Sequence, residues 1–154
     1  MAFSFLVPSC TFDASNNPTS ESKIDPSYTG YQFFPDTSVI TGELKVEMFY
    51  GAPNYGECPD TDAKEYVYIL YLDSAIDVRN FEGEKQLEKG NEMVDEDVEY
   101  SVLGVKKVQL APTTEMKLSQ YKNKYLKVKG TFFGKKTGHH HTDVLLSVLE
   151  VTDL

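Results

Sequence analysis

The chain has 154 residues, 40% of them hydrophobic, which suffices for one domain with a real core, alone or with a tail. Fifteen Lys and Arg against 24 Asp and Glu leave a net charge of −9, which argues against a protein that coats nucleic acid. No apolar run nears the roughly 20 residues of a membrane-spanning helix, and ten Tyr and nine Phe among many Val and Thr favour strands.

Met1 to Pro8 is apolar but has neither the basic flank nor the length of a secretory leader, so the expectation is a mature or trimmed chain. Residues 11–38 carry Asn16-Asn17-Pro18-Thr19-Ser20, Asp25-Pro26 and Pro35-Asp36, turn chemistry that argues against a helix. Tyr28, Tyr31, Phe33 and Phe34 give this stretch apolar handles, and residues 1–38 are expected to form an arm packed on a domain spanning 39–154. The first strand is expected from Val39 to Tyr50, where Ile40, Gly42, Leu44, Val46 and Met48 alternate with Thr41, Glu43, Lys45 and Glu47. Gly42 suits a bend or bulge there. The Gly51-Ala52-Pro53-Asn54-Tyr55-Gly56 turn ends it, and an acidic loop with Cys58 runs on to Asp62.

Residues 65–73 form the expected second strand, apolar on both faces and therefore covered on both, with 75–78 as a short extension. An acidic connection over 80–97 leads to a third strand near 98–110, with Gly104 as a bulge. Thr113-Thr114-Glu115 reads as the start of a short helix ending near Asn123. A fourth strand follows over 125–133, a long turn over 134–142, and a fifth strand over 143–151. The order β-β-β-α-β-β, with long glycine-marked strands, predicts an all-β fold with one short helix, an OB-like five-stranded Greek-key barrel. Closure into a barrel removes the edges that would otherwise aggregate.

Charge is segregated along the chain. Residues 1–100 carry a net of −14, residues 101–142 a net of +8 and the last twelve residues −3. The acidic peak includes Glu92, Asp95, Glu96 and Asp97. One reading is a solvated loop beside a Lys-rich strand, where exposed pairs contribute roughly 0–1 kcal/mol each. The other is an acidic face that meets a basic protein partner.

The two cysteines, Cys10 and Cys58, fit one disulfide in an exported protein or two separate thiols. As a disulfide they would close a loop of about 50 residues and stabilise by roughly 4 kcal/mol in chain-entropy terms. In an extended Gly138-His139-His140-His141-Thr142-Asp143 segment, His139, His141 and Asp143 would share a face and could ligate zinc or a similar divalent ion. The alternative is that the imidazoles bond backbone carbonyls and pin a long hairpin. Asn54 and Tyr55 either shape their own turn or line a pocket at the barrel mouth. Lys122, Lys124, Lys127, Lys129, Lys135 and Lys136 form a basic stripe with Tyr121 and Tyr125 beside it, the pattern of a single-strand groove, but the acidic total weighs against nucleic acid. No G-x-S-x-G, P-loop or G-x-G-x-x-G occurs.

Four segments carry a family likeness: Phe49-Tyr50-Gly51-Ala52-Pro53-Asn54-Tyr55, Tyr68-Ile69-Leu70-Tyr71-Leu72, Val105-Lys106-Lys107-Val108-Gln109-Leu110, and Thr137-Gly138-His139-His140-His141-Thr142-Asp143-Val144-Leu145-Leu146. Together, over about residues 40–152, they resemble an uncharacterised bacterial domain-of-unknown-function family of exported proteins. The resemblance implies a periplasmic or secreted location and brings no activity. The family usually has a Cys where Asp77 stands, so the resemblance offers Cys58 as its replacement in a bond to Cys10, and it favours Pro where Asp143 stands.

The functional expectation is a non-catalytic binding domain, immunity-like, meeting a protein partner through the acidic face, with no cofactor and no membrane span. The alternative is a metal- or small-ligand-binding domain built on His139 and His141. A metal-dependent hydrolase on the same histidines is the third candidate.

Overall fold

In a computed structural model, residues 30–81, 83–84 and 100–154 are described. They form six strands: β1 (Tyr31–Gln32), β2 (Thr37–Tyr50), β3 (Lys64–Arg79), β4 (Val102–Pro112), β5 (Tyr125–Gly134) and β6 (Val144–Asp153). A single 3₁₀ turn, Leu118–Tyr121, lies between β4 and β5.

The alternation read in β2 buries Ile40, Gly42 and Leu44 on one face. Its first half pairs antiparallel with β5, from Thr37↔Thr131 to Glu43↔Tyr125. Its second half pairs antiparallel with β3, from Gly42↔Leu72 to Tyr50↔Lys64. Gly42 sits at the overlap, facing Leu72 on one side and Leu126 on the other. A Cβ there would run into the Tyr71 carbonyl, so the curve requires glycine.

Antiparallel β3–β4 and β5–β6 pairs and a parallel β4–β6 pair complete the ring β3-β2-β5-β6-β4 and back to β3. The result is a closed five-stranded barrel, almost wholly strand. Its core is one cluster that includes Leu44, Leu70, Val108, Leu126, Val128 and Phe132.

Several boundaries differ from the sequence reading. The expected extension over 75–78 is continuous with β3, which bends through register shifts against β4. The expected helix over 113–123 is reduced to the 3₁₀ turn. Residues 113–124 are too few for a helix that is stable by itself, and tertiary ties take over: Leu118 is buried, the Asn123 N–H donates to the Leu44 carbonyl, and the Leu44 N–H to the Lys124 carbonyl. Of the expected 1–38 arm, residues 1–29 lie outside the described residues. Residues 31–33 run from β3, where Tyr31 pairs with Val78, to β5, where Phe33 bridges Phe132. Phe33 enters the core, Tyr31 meets the Phe132 ring edge-on at 5.7 Å, and Phe34 stays exposed.

The two-sided apolarity of β3 has a clear outcome. Leu70 points into the barrel, whereas Ile69 is buried on the outside and is not part of the core cluster. Across the sheet, Ile69 pairs with Gln109 and Gln109 with Leu145, a buried outer row on β3, β4 and β6.

Candidate functional site

Residues 51–63 form a loop organised by one carboxylate. Asp62 accepts the backbone N–H groups of Asn54 (2.9 Å), Gly56 (2.8 Å) and Cys58 (3.3 Å) and the Asn54 side-chain amide (3.0 Å). Burial pushes the Asp62 carboxyl upward, but the donors outweigh it and hold it below the usual carboxylate range. The Gly51 N–H to the Ala63 carbonyl (2.7 Å) closes the base of the loop.

The second loop, 135–143, folds down over the buried outer row. A buried amide must satisfy its hydrogen bonds, and Gln109 does so on this loop. Its Nε2 donates to the His139 carbonyl (3.1 Å), its Oε1 accepts the His141 N–H (2.7 Å), and its backbone N–H donates to Thr142 Oγ1 (3.0 Å). At the loop tip the Lys136 N–H donates to His140 Nδ1 (2.9 Å), so the neutral ring carries its hydrogen on Nε2. His140 meets the Phe133 ring edge-on at 5.6 Å.

Glu65, at the start of β3, joins the two loops. Its Oε1 lies 2.6 Å from His139 Nδ1 and its Oε2 3.0 Å from His141 Nε2. Gly51 lies beneath it, where a Cβ would collide with the Glu65 carboxylate. Phe49, paired with Glu65 across β2 and β3, stacks on the His141 ring at 4.2 Å and 9°. The His141 bond, opposed by burial and helped by His139, holds the Glu65 carboxyl below its ordinary range. With Glu65 ionised, each ring nitrogen that faces it carries the hydrogen. His140 is also shifted down, by burial first and then by the charges of His139, His141, Lys135 and Lys136.

The loops also touch directly, since the Tyr55 ring lies over Gly138. Between them opens a groove of about 480 Å³, whose walls include Phe49, Tyr50, Tyr55, Lys135 and His140.

Of the residues singled out in the sequence, His139 and His141 come together, but on Glu65. Asp143 is exposed and does not join them; its carbonyl accepts the Lys135 N–H (3.2 Å). Among the described residues no three His, Cys, Asp or Glu side chains form a set that could hold a metal ion. The geometry assumed for His139, His141 and Asp143 required an extended chain, and the loop is turned. The Asn54 amide is engaged by Asp62 and Thr61, while Tyr55 lines the groove. Glu92, Asp95, Glu96, Asp97 and Cys10 lie outside the described residues, and Cys58 is exposed with a free thiol. Phe49 and Gln109 fall in the segments that carry the family likeness and Glu65 opens an expected strand, but the sequence reading gave none of the three a place in the site. Their signal is a matter of register, which places Phe49 beside Glu65 and Gln109 beneath the loop.

On the same outer face, Tyr71 bonds Glu47 through its hydroxyl, and the ammonium groups of Lys45 and Lys107 lie 4.7 and 4.5 Å from its ring centre. Lys107 also reaches Glu47 at 3.2 Å. Within the basic stripe, Lys124 pairs with Asp153, Tyr121 packs against the core, and Lys127 and Lys129 are exposed on β5.

Residues 107–152 match a family described as a domain of unknown function (DUF4431). The match runs from β4 through β5 to β6 and includes the histidine loop; the Phe49–Tyr55 segment lies outside it. No curated protein and no solved structure matches the chain. Likewise, among the described residues no helix is long and apolar enough to cross a membrane.

Proposed function

We propose that the chain is a non-catalytic binding domain whose site lies where the 51–63 and 135–143 loops meet. The observation that carries this reading is their convergence: both are anchored at Glu65, one beneath it and one above, and Tyr55 of the first covers Gly138 of the second. Such anchoring pre-forms the groove and lowers the ordering cost of binding.

Strand order supports reading the barrel as OB-like. Counting β2 to β6 as the five barrel strands, the first lies between the second and the fourth, and the third lies beside the fifth. In OB barrels the loop after strand one and the loop between strands four and five border the binding face. The two site loops hold those positions.

Binding is favoured over catalysis because, among the described residues, no Ser, Thr or Cys side chain bonds either imidazole that faces Glu65. A nucleic-acid strand is disfavoured by the net charge of −9, and of the two rings beside the basic stripe Tyr121 packs against the core while Tyr125 is exposed. Location in the periplasm or outside the cell belongs to the proposal and rests on the family resemblance. Segregation of charge makes the acidic stretch through Glu92, Asp95, Glu96 and Asp97 a second contact, for a basic protein partner.

A photo-crosslinking residue placed at Tyr55, and separately at Lys129 on the β5 face, tests the site in cells. An adduct formed from position 55 and not from 129 is expected. Equal labelling from both positions, or labelling from 129 alone, would count against the loop junction.

A further inference from the structure

The groove between the loops is one-sided in the charge of its lining side chains. The residues that line it include Lys135, Tyr50, Tyr55 and His140, whose Nε2 carries the hydrogen, and among the described residues no Asp or Glu lines it. Among the described residues neither phenol nor the Lys135 ammonium has a hydrogen-bond or ion-pair partner. Glu65, the nearby carboxylate, is occupied by His139 and His141. Met48 and Phe49 add an apolar wall. Unpartnered donors of this kind are complementary to an acceptor-rich group, and a cationic donor to a charged one.

The geometry points to an anionic ligand: a carboxylate or phosphate group on a small aromatic or apolar body. The head lies against Lys135, the phenols and His140, and the body along Phe49 and Met48. This inference rests on the loop junction being the binding site, and it adds the class of ligand. It is independent of the acidic stretch, whose partner would carry the opposite charge.

Amide NMR titrations of the whole chain with benzoate, phenyl phosphate and the neutral benzyl alcohol test it. Benzoate or phenyl phosphate should give saturable shifts at residues 48–50, 55 and 135–141, and benzyl alcohol should bind far more weakly. Lys135→Met should weaken the anion roughly tenfold, the effect of losing one charge-assisted contact. Lys127→Met, on the β5 face, should leave it unchanged. Benzyl alcohol binding as tightly as benzoate would overturn the anion and keep the groove as a binding site. Equal weakening by Lys127→Met would reduce the effect to overall charge and overturn the proposal. Shifts confined to other surfaces, or absent with all three probes, would overturn both the ligand class and the site.

Discussion

Glu65 shows how one side chain at a strand end holds two loops together. It accepts from two imidazoles and lies on a glycine of the other loop. Glu65→Gln keeps the shape but supplies a single acceptor oxygen. The expected result is about 1 kcal/mol less stability and faster hydrogen exchange at His139 to Thr142, with exchange in β5 unchanged. Unchanged exchange in the loop would show that Gln109 holds it without help. A second residue-scale consequence concerns acid. The His140 pKa is lowered by burial and neighbouring charge, so the fold favours the neutral ring. Its contribution is complete above the ordinary histidine value near 6.5 and is lost as pH falls below it. Glu65 is lowered too, so its contribution is complete above roughly 4.3 and is lost below that value. Urea midpoints should therefore fall in two steps on acidification. His140→Gln, which can still accept the Lys136 N–H, should remove the upper step; its persistence would assign that step elsewhere.

At the scale of elements, the link between β4 and β5 owes its path to packing. Leu118 is its buried anchor, with Met116 and Tyr121 against the same core. Leu118→Ala should cost about 2–4 kcal/mol, the transfer loss plus the cavity left behind, measurable by urea unfolding. A loss under about 0.5 kcal/mol would mean the segment collapses onto the gap. Strand limits were readable where alternation was strict: β2 and β5 agree with their sequence patterns within two residues at each end. The expected helix over 113–123 does not form although Met116, Leu118 and Tyr121 supply helical spacing: the Met116 and Lys122 N–H groups close short turns on Thr113 and Ser119, and the Asn123 N–H goes to Leu44. Periodicity reports which residues are apolar; it does not report where a short segment's N–H groups find partners.

For the whole molecule, closure matters most, because the ring of five strands leaves β1 as the one short addition among the described residues. A barrel joined through so many strand pairs does not need a long-range tether at an exposed loop. Cys58→Ser should therefore change stability by less than about 0.5 kcal/mol. A loss of several kcal/mol would reveal a disulfide to Cys10. The sequence by itself determined the strand-rich class, the strand order along the chain and the places of the loops after β2 and before β6. Alternating apolarity and turn chemistry are local, and each can be read in a window of ten residues. Tertiary structure alone decided that the histidines face Glu65 and not Asp143, that Gln109 pins their loop, and that Tyr55 reaches Gly138. Those contacts join residues about 30 to 80 positions apart, and only the register of β2, β3, β4 and β6 brings them together.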